Sequence, residues 1–350
     1  MIDDKQIGKK NKRFSVKWLI VSALLGLVAV IVFFFIGDFK ENIEAFKRIK
    51  PVWVIYSVVC LTIYWISEAF ALFVTARICH VHLSYPQAFE TNLMGQFYNS
   101  VTPFATGGQP MQIYRMYQFG IPVSKGTAIA TSKFLIYQIS ITIIGIFLLL
   151  FFFKNIAALP AISGLVLIGF IINAAVIIFV IIFSFNPPLT KKIIHIFLNI
   201  VGRFKIGKKL KNNEEKYLEK LKEFHDSMKR LIYSPGKLLL ALLATCIQMF
   251  FYFSISYCIY RMFENPTVSF AEIFAFQGIL FVVTGFVPIP GAGGAAEGGF
   301  YLFFKNFFTN HNIVGAVIMW RIMTYYMNIF FGTPFAIKTP KKTNMQIEKQ

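Results

Sequence analysis

The chain has 350 residues, 56% of them hydrophobic and only 15% charged, with a mean hydropathy of +0.62, values that a soluble domain of this length rarely combines. Its apolar runs do not alternate with polar residues, which excludes a transmembrane barrel and leaves helices as the way to satisfy every backbone group in lipid. The formal net charge of +19 sits mainly in residues 1–17, 186–237 and 338–350, which together supply 15 of it; each flanks an apolar run, so the positive-inside rule accounts for the excess and nucleic-acid binding is not expected.

Residues 1–16 form a basic N-terminus, expected in the cytoplasm. The stretch from Trp18 to Ile36 is too long for a signal peptide and no A-x-A-like site follows it, so a retained first span is predicted over 17–37. Loop 38–50 has nearly balanced charge, as an outside loop can, and a span over 52–77 returns inward. Residues 87–122 interrupt the pattern with a moderately apolar helix to Asn99, a run from Val101 to Pro110 containing Pro103, Gly107 and Gly108, and a short helix carrying Arg115. Spans over 126–153 and 161–185 follow. A basic cytoplasmic loop over 186–236 comes next, in which Tyr217, Leu218, Leu221, Phe224, Met228, Leu231 and Ile232 recur at helical spacing, as in an amphipathic helix at the membrane interface. A span over 237–261, a second interrupted stretch over 268–309, a last span over 313–337 and a cytoplasmic tail over 338–350 complete the chain.

Neither half of either interrupted stretch is long enough to cross alone. Proline and paired glycine break helices, and irregular backbone at membrane depth survives where protein or water satisfies it, so each stretch is predicted to be a re-entrant hairpin. The expected architecture is an all-α polytopic membrane protein with about six full spans and two re-entrant broken hairpins; eight crossings would return the C-terminus to the same side. The chain then divides into two membrane repeats of inverted orientation, 17–153 and 161–337. Each hairpin has a proline shortly before a Gly-Gly pair (Pro103 with Gly107 and Gly108, Pro290 with Gly293 and Gly294), and each precedes a span with a buried cation, Lys133 or Arg321. Paired, interrupted hydrophobic segments at corresponding places in two halves point to a transporter's midplane site.

A half-helix whose N-terminus points into the membrane presents unpaired N–H groups and the positive end of its dipole, which suits a phosphate headgroup. Gly107 and Gly108, and Gly293 and Gly294, have this placement; two tight bends where helices pack closely are the alternative. Charge at bilayer depth costs about 2.5–3.5 kcal/mol on insertion scales, which singles out Glu68, Arg115, Lys133, Glu297 and Arg321. Arg115 and Lys133 read either as counter-charges to a lipid phosphate or as snorkelling interfacial residues. Glu297 and Arg321 read either as a headgroup or proton site or as a buried ion pair. Glu68 is a candidate partner for Lys133 or Arg115. Asn99, Ser100, Thr102 and Gln109 are expected to satisfy backbone freed by the break, with Gln109 the candidate for direct ligand contact. His80, His82, His195, His225 and His311 lack metal-ligand spacing and read as loop or interface residues, and no nucleophile–base pair or Walker motif is present; no catalytic residue, metal or cofactor is expected.

The segments TPFATGGQPMQIYR, from Thr102 to Arg115, and PIPGAGGAAE, from Pro288 to Glu297, resemble signatures of the lysylphosphatidylglycerol synthase transmembrane family, a group of flippase-like membrane proteins. The resemblance covers roughly residues 15–340. It implies a membrane part that moves lipids between leaflets; bifunctional members add a C-terminal cytoplasmic domain that transfers lysine from charged tRNA to phosphatidylglycerol. No soluble piece here could hold that transferase, so a stand-alone flippase-like member is expected. The family's first motif often reads Gly-Gly-Glu-Pro, and Gln109 replaces that Glu, removing a negative charge.

The expected function is translocation of an anionic, phosphate-bearing lipid: phosphatidylglycerol, its lysylated derivative, a glycolipid or a polyprenyl-phosphate. The expected setting is a bacterial plasma membrane with both termini cytoplasmic, with a homo-oligomer or a separate lipid synthase as possible partner. Two competing expectations are a membrane component of lipid-headgroup modification, related to phosphatidylglycerol lysyltransfer and cationic-peptide resistance, and a lipid-binding assembly protein.

Overall fold

The computed structural model describes residues 44, 46–157, 160–201, 214–285, 292–309 and 312–337; the predicted first span over 17–37 and the tail over 338–350 lie outside the described residues. In chain order the helices are α1 (Pro51–Ile78), α2 (Tyr85–Val101), α3 (Gly108–Gln118), α4 (Val123–Ala157), α5 (Pro160–Phe185), α6 (Pro187–Val201), α7 (Glu214–Ile232), α8 (Pro235–Phe263), α9 (Phe270–Thr284), α10 (Ala295–Phe304) and α11 (Asn312–Ile337). Among the described residues every regular element is helical, as expected of a polytopic all-α membrane protein. Five helices, α1, α4, α5, α8 and α11, are long and apolar enough to cross a membrane, and they fall on the predicted spans. By contrast α2, α3, α9 and α10 have 17, 11, 15 and 10 residues, short of the roughly 20 that a crossing needs.

Helix starts follow local chemistry. Proline opens α1 and α8, where its missing N–H costs nothing. Ser84 and Gln87 form a reciprocal capping box at the start of α2, and Ser269 Oγ accepts the Glu272 N–H at the start of α9.

Helices α1 and α8 run antiparallel side by side: the Lys50 N–H donates to Met262 O at 3.1 Å, Trp53 meets Tyr257 at 6.0 Å and Tyr64 meets Tyr252 at 5.1 Å. Both interrupted stretches fold as antiparallel hairpins. In the first, Gly95 lies against Gln112 and Gly108 against Asn99; in the second, Phe276 stacks edge-on with Phe303 and Phe304 and Gly299 lies against Leu280. The α2–α3 hairpin packs on α11, and α9 packs on α4 and α5.

The α2–α11 contact is close because of Gly332. A Cβ there would stand 2.6 Å from Leu93 O and 2.7 Å from Phe97 Cβ, a small-residue approach of the kind that tightens helix pairs in membranes. Gly332→Leu is therefore expected to destabilise the detergent-solubilised protein by about 1–3 kcal/mol, read as a lowered thermal midpoint; an unchanged midpoint would show that this crossing does not set stability.

Two expectations are corrected on the basic side of the bundle. Most of the apolar stripe of α7 faces protein, since Leu221, Phe224, Met228 and Leu231 are buried and pack, with the half-buried Leu218, against residues of α1, α3, α4 and α8; Ile232 at its end is exposed, and the side chain of Tyr217 lies outside the described residues. Polar groups between α7 and its neighbours fix this seat: the Ser124 hydroxyl donates to Glu223 and the Ser132 hydroxyl to Met228 Sδ at 3.1 Å. His225 is neither loop nor interface, being 3% exposed with Nδ1 2.8 Å from Ser184 O.

Candidate functional site

The two hairpin tips reach the same level. Gln96, near the end of α2, donates to the hydroxyl of Tyr64, in the middle of α1, at 2.7 Å, and Ser100 O accepts the Tyr325 hydroxyl of α11 at 3.3 Å. On the other side Phe281, near the end of α9, meets Tyr252, in the middle of α8, at 5.4 Å. Tyr64 and Tyr252 touch, so both tips converge about halfway along the central pair.

Tip backbone is strained in both hairpins. Phe104 and Ala105 have φ of 54° and 52°, and Ala292 has φ of 52°. Left-handed conformations at non-glycine residues cost of the order of 1–3 kcal/mol each and gather at functional sites. Gly294, with φ of 79°, adopts its conformation without that penalty.

The N–H groups of Gly107, Gly108 and Gly294, expected to be open at the tips, are taken. The Gly107 N–H donates to Thr102 Oγ1 at 2.8 Å, the Gly108 N–H to Asn99 Oδ1 at 3.0 Å and the Gly294 N–H to Glu297 Oε2 at 2.7 Å. The physical reason is the cost of a buried unpaired N–H away from water, which side chains within each hairpin remove. Gln109 lies half-buried on the first turn of α3, and Gly293 in the turn before α10; residues 286–291 of the second motif lie outside the described residues.

Two ion pairs flank the meeting point of the tips. Lys133 Nζ donates to Glu68 Oε1 at 2.8 Å and to Asn92 Oδ1 at 2.7 Å, while Glu68 Oε2 accepts from Asn92 at 2.8 Å and from Gln96 at 2.6 Å. Three helices, α1, α2 and α4, thus share one fully connected polar cluster, which is what makes such a cluster tolerable in a dry interior. In the second pair, Arg321 Nε donates to Glu297 Oε1 at 2.6 Å, and its guanidinium lies 4.8 Å from the ring centre of Tyr325 and 5.6 Å from that of Trp320. A wide π-turn, Ile322–Tyr326, follows Arg321 directly; single π-turns inside helices are frequent at functional sites. Gln96 bonds both Tyr64 and Glu68, so the Tyr64–Tyr252 contact lies beside the first pair.

Arg115 is placed apart from these. Its guanidinium is fully buried and 3.2 Å from Glu90; it also donates to Gln118 Oε1 at 3.0 Å and to Phe335 O. Phe335 is among the last four residues of α11, whose carbonyls have no partner within the helix. Arg115 thereby ties the end of α11 to the flank of the first hairpin, away from the tips. Glu90 was not singled out in the sequence, although an antiparallel hairpin places it nearly opposite Arg115.

The arrangement offers an anion two buried cations, Lys133 and Arg321, each bonded to a carboxylate. The model of the family described as "Lysylphosphatidylglycerol synthase TM region" matches residues 19–332. The chain is also 22% identical over 317 residues to a "UPF0104 membrane protein" of Archaeoglobus fulgidus, covering 89% of this chain and 94% of that protein. It is 24% identical over 323 residues to a "UPF0104 membrane protein" of Methanothermobacter thermautotrophicus, covering 88% and 91%.

Proposed function

The chain belongs to the family of the lysylphosphatidylglycerol synthase transmembrane region, and from that premise we propose that it moves an anionic, phosphate-bearing lipid such as phosphatidylglycerol between leaflets. The observation that carries this reading is the convergence of two strained hairpin tips with the pairs Glu297–Arg321 and Glu68–Lys133 halfway along the α1–α8 pair. The headgroup phosphate exchanges for Glu297 at Arg321 and for Glu68 at Lys133 while the acyl chains stay in lipid. Exchange of one anion for another keeps the cations partnered throughout, which avoids the cost of a lone charge in the interior.

The packing supports a division into two inverted units. Helices α1 and α8 hold equivalent positions in the two units and pair with each other, while each hairpin packs on the last span of the opposite unit, α2 on α11 and α9 on α4. We place the basic face formed by α6 and α7 in the cytoplasm. Gln109, where the family motif often carries Glu, leaves the first tip without an acid to attract an amino group, which favours phosphatidylglycerol over its lysylated form.

Purified protein reconstituted into liposomes with fluorescently labelled phosphatidylglycerol tests this. Label in the inner leaflet is expected to become accessible to dithionite with protein and to stay protected in empty vesicles, with lysyl-phosphatidylglycerol moving more slowly. Equal protection with and without protein sinks the reading, and a change in the mass of the lipid would point instead to headgroup modification.

A further inference from the structure

Helices α6 and α7 both lie on the basic end of the bundle, but their apolar side chains meet different surroundings. Of those of α7, Leu221, Phe224, Met228 and Leu231 are buried in protein, and Ile232 at its end is exposed. On α6, Leu189, Ile193 and Ile196 are 37%, 38% and 48% exposed, and their spacing of four and three residues puts them on one stripe. Thr190 and Ile194, round from that stripe, face the protein, Thr190 buried and Ile194 packed on the cluster that contains Met116 and Met228. Lys191 and Lys192 are exposed, and α6 has no acidic residue.

The start of α6 shows that it leaves the axis of α5. Thr190 Oγ1 donates to Phe183 O at 2.7 Å, whereas seven residues of continuous helix would separate those levels by about 10.5 Å. The chain therefore folds back at Asn186, Pro187 and Pro188, and Asn186 Oδ1 accepts the Leu189 N–H at 3.1 Å to cap the new helix. Helix α5 has 26 residues, long enough at about 1.5 Å each to traverse a hydrocarbon core of about 30 Å. Its end is thus at headgroup level. Ile178, Phe179, Ile181 and Ile182, its last exposed apolar residues, run on into the exposed stripe of α6.

We propose that α6 lies in the plane of the membrane surface, with Leu189, Ile193 and Ile196 in the acyl boundary and Lys191 and Lys192 against the phosphates of an anionic leaflet. Continuity with the lipid-facing side of α5 supplies the apolar half of the argument, and a helix with lysines and no acids supplies the other, since anionic lipid attracts each such lysine. A second copy of this chain is a poor occupant. Two-fold pairing through this face would oppose Lys191 and Lys192 with their own copies. The helix would gather anionic lipid beside the bundle whether or not the protein translocates it, so this inference goes beyond the translocation reading and stands apart from it.

The test uses the full chain in vesicles of equal parts phosphatidylcholine and phosphatidylglycerol, with the photocrosslinker benzoylphenylalanine replacing Ile193 or Ile196 in turn. Irradiation is expected to yield lipid adducts by mass spectrometry at both positions. Adducts to another segment of this chain or to a second copy would overturn the proposal. In the same vesicles, Lys191→Glu combined with Lys192→Glu is expected to lower the phosphatidylglycerol share of the adducts by about threefold or more; an unchanged share overturns the assignment to an anionic leaflet. Crosslinking does not read transport, so failure here and failure of the dithionite assay are distinguishable.

Discussion

Lys133→Met is expected to lower the stability of the protein by about 3–5 kcal/mol, the usual effect of removing one partner from a buried ion pair. The side chains of Lys133 and Glu68 are 11% and 8% exposed, so solvent offers little relief. Loss of Nζ leaves Glu68 Oε1 without its donor at 2.8 Å and Asn92 Oδ1 without its donor at 2.7 Å. The remaining amides of Asn92 and Gln96 both serve Glu68 Oε2 and cannot replace the missing charge. Because α1, α2 and α4 meet at this cluster, the effect should appear as a cooperative fall in the thermal midpoint in detergent. Glu68→Gln/Lys133→Met removes both charges and keeps an amide for Asn92 and Gln96 to bond, so stability should return to within about 1 kcal/mol of the parent. Equal destabilisation in the single and double variants would mean that charge pairing is not what holds these helices. The stable double variant then isolates function: lost lipid movement at parental stability assigns the pair to the path, and normal movement assigns it to the scaffold.

The long spans were legible because about 20 apolar residues in a row have few other fates than a bilayer crossing. The hairpins were legible because Pro103, Gly107 and Gly108 interrupt such a run at the point where α2 ends. Partnerships were harder to read. Glu68 was open between Lys133 and Arg115, and it pairs with Lys133; Arg115 takes Glu90 instead, a choice set by the register of α2 against α3. That signal becomes available once a hairpin is assumed, since residues nearly equally far from the tip then face each other. The stripe of α7 shows a different limit. Periodicity establishes that a helix has an apolar face but not whether lipid or protein covers it, and here protein covers most of the α7 stripe while the neighbouring helix α6 leaves Leu189, Ile193 and Ile196 exposed. The filled N–H groups at the tips follow the same logic: glycine pairs marked where the backbone is free of side chains, while Asn99 and Thr102 decide whether its donors are free as well.

Glu297→Gln is expected to bring lipid movement, normalised to folded protein, down to the level of empty vesicles, with a fall in stability of the kind expected for Lys133→Met. The substitution is conservative in shape, and its amide oxygen can still accept the Gly294 N–H that Glu297 Oε2 now takes at 2.7 Å, so the turn into α10 should survive. Arg321 loses the carboxylate that meets its Nε at 2.6 Å, but Tyr325 and Trp320 remain against its guanidinium. The buried cation thus stays in place without the Glu297 carboxylate. A lipid phosphate entering the tip then meets Arg321 without the Glu297 carboxylate that would displace it again, so binding should tighten and release should fail. In liposomes this predicts labelled phosphatidylglycerol that associates with the protein more strongly than in the parent yet does not change leaflet. Arg321→Lys provides the complementary case: the charge remains, but a single ammonium cannot reproduce the planar Nε–Oε1 contact, and movement should be slowed rather than stopped. If Glu297→Gln moves lipid at the parental rate, the carboxylate plays no part in exchange at the tips, and the second ion pair is a scaffold contact between α10 and α11.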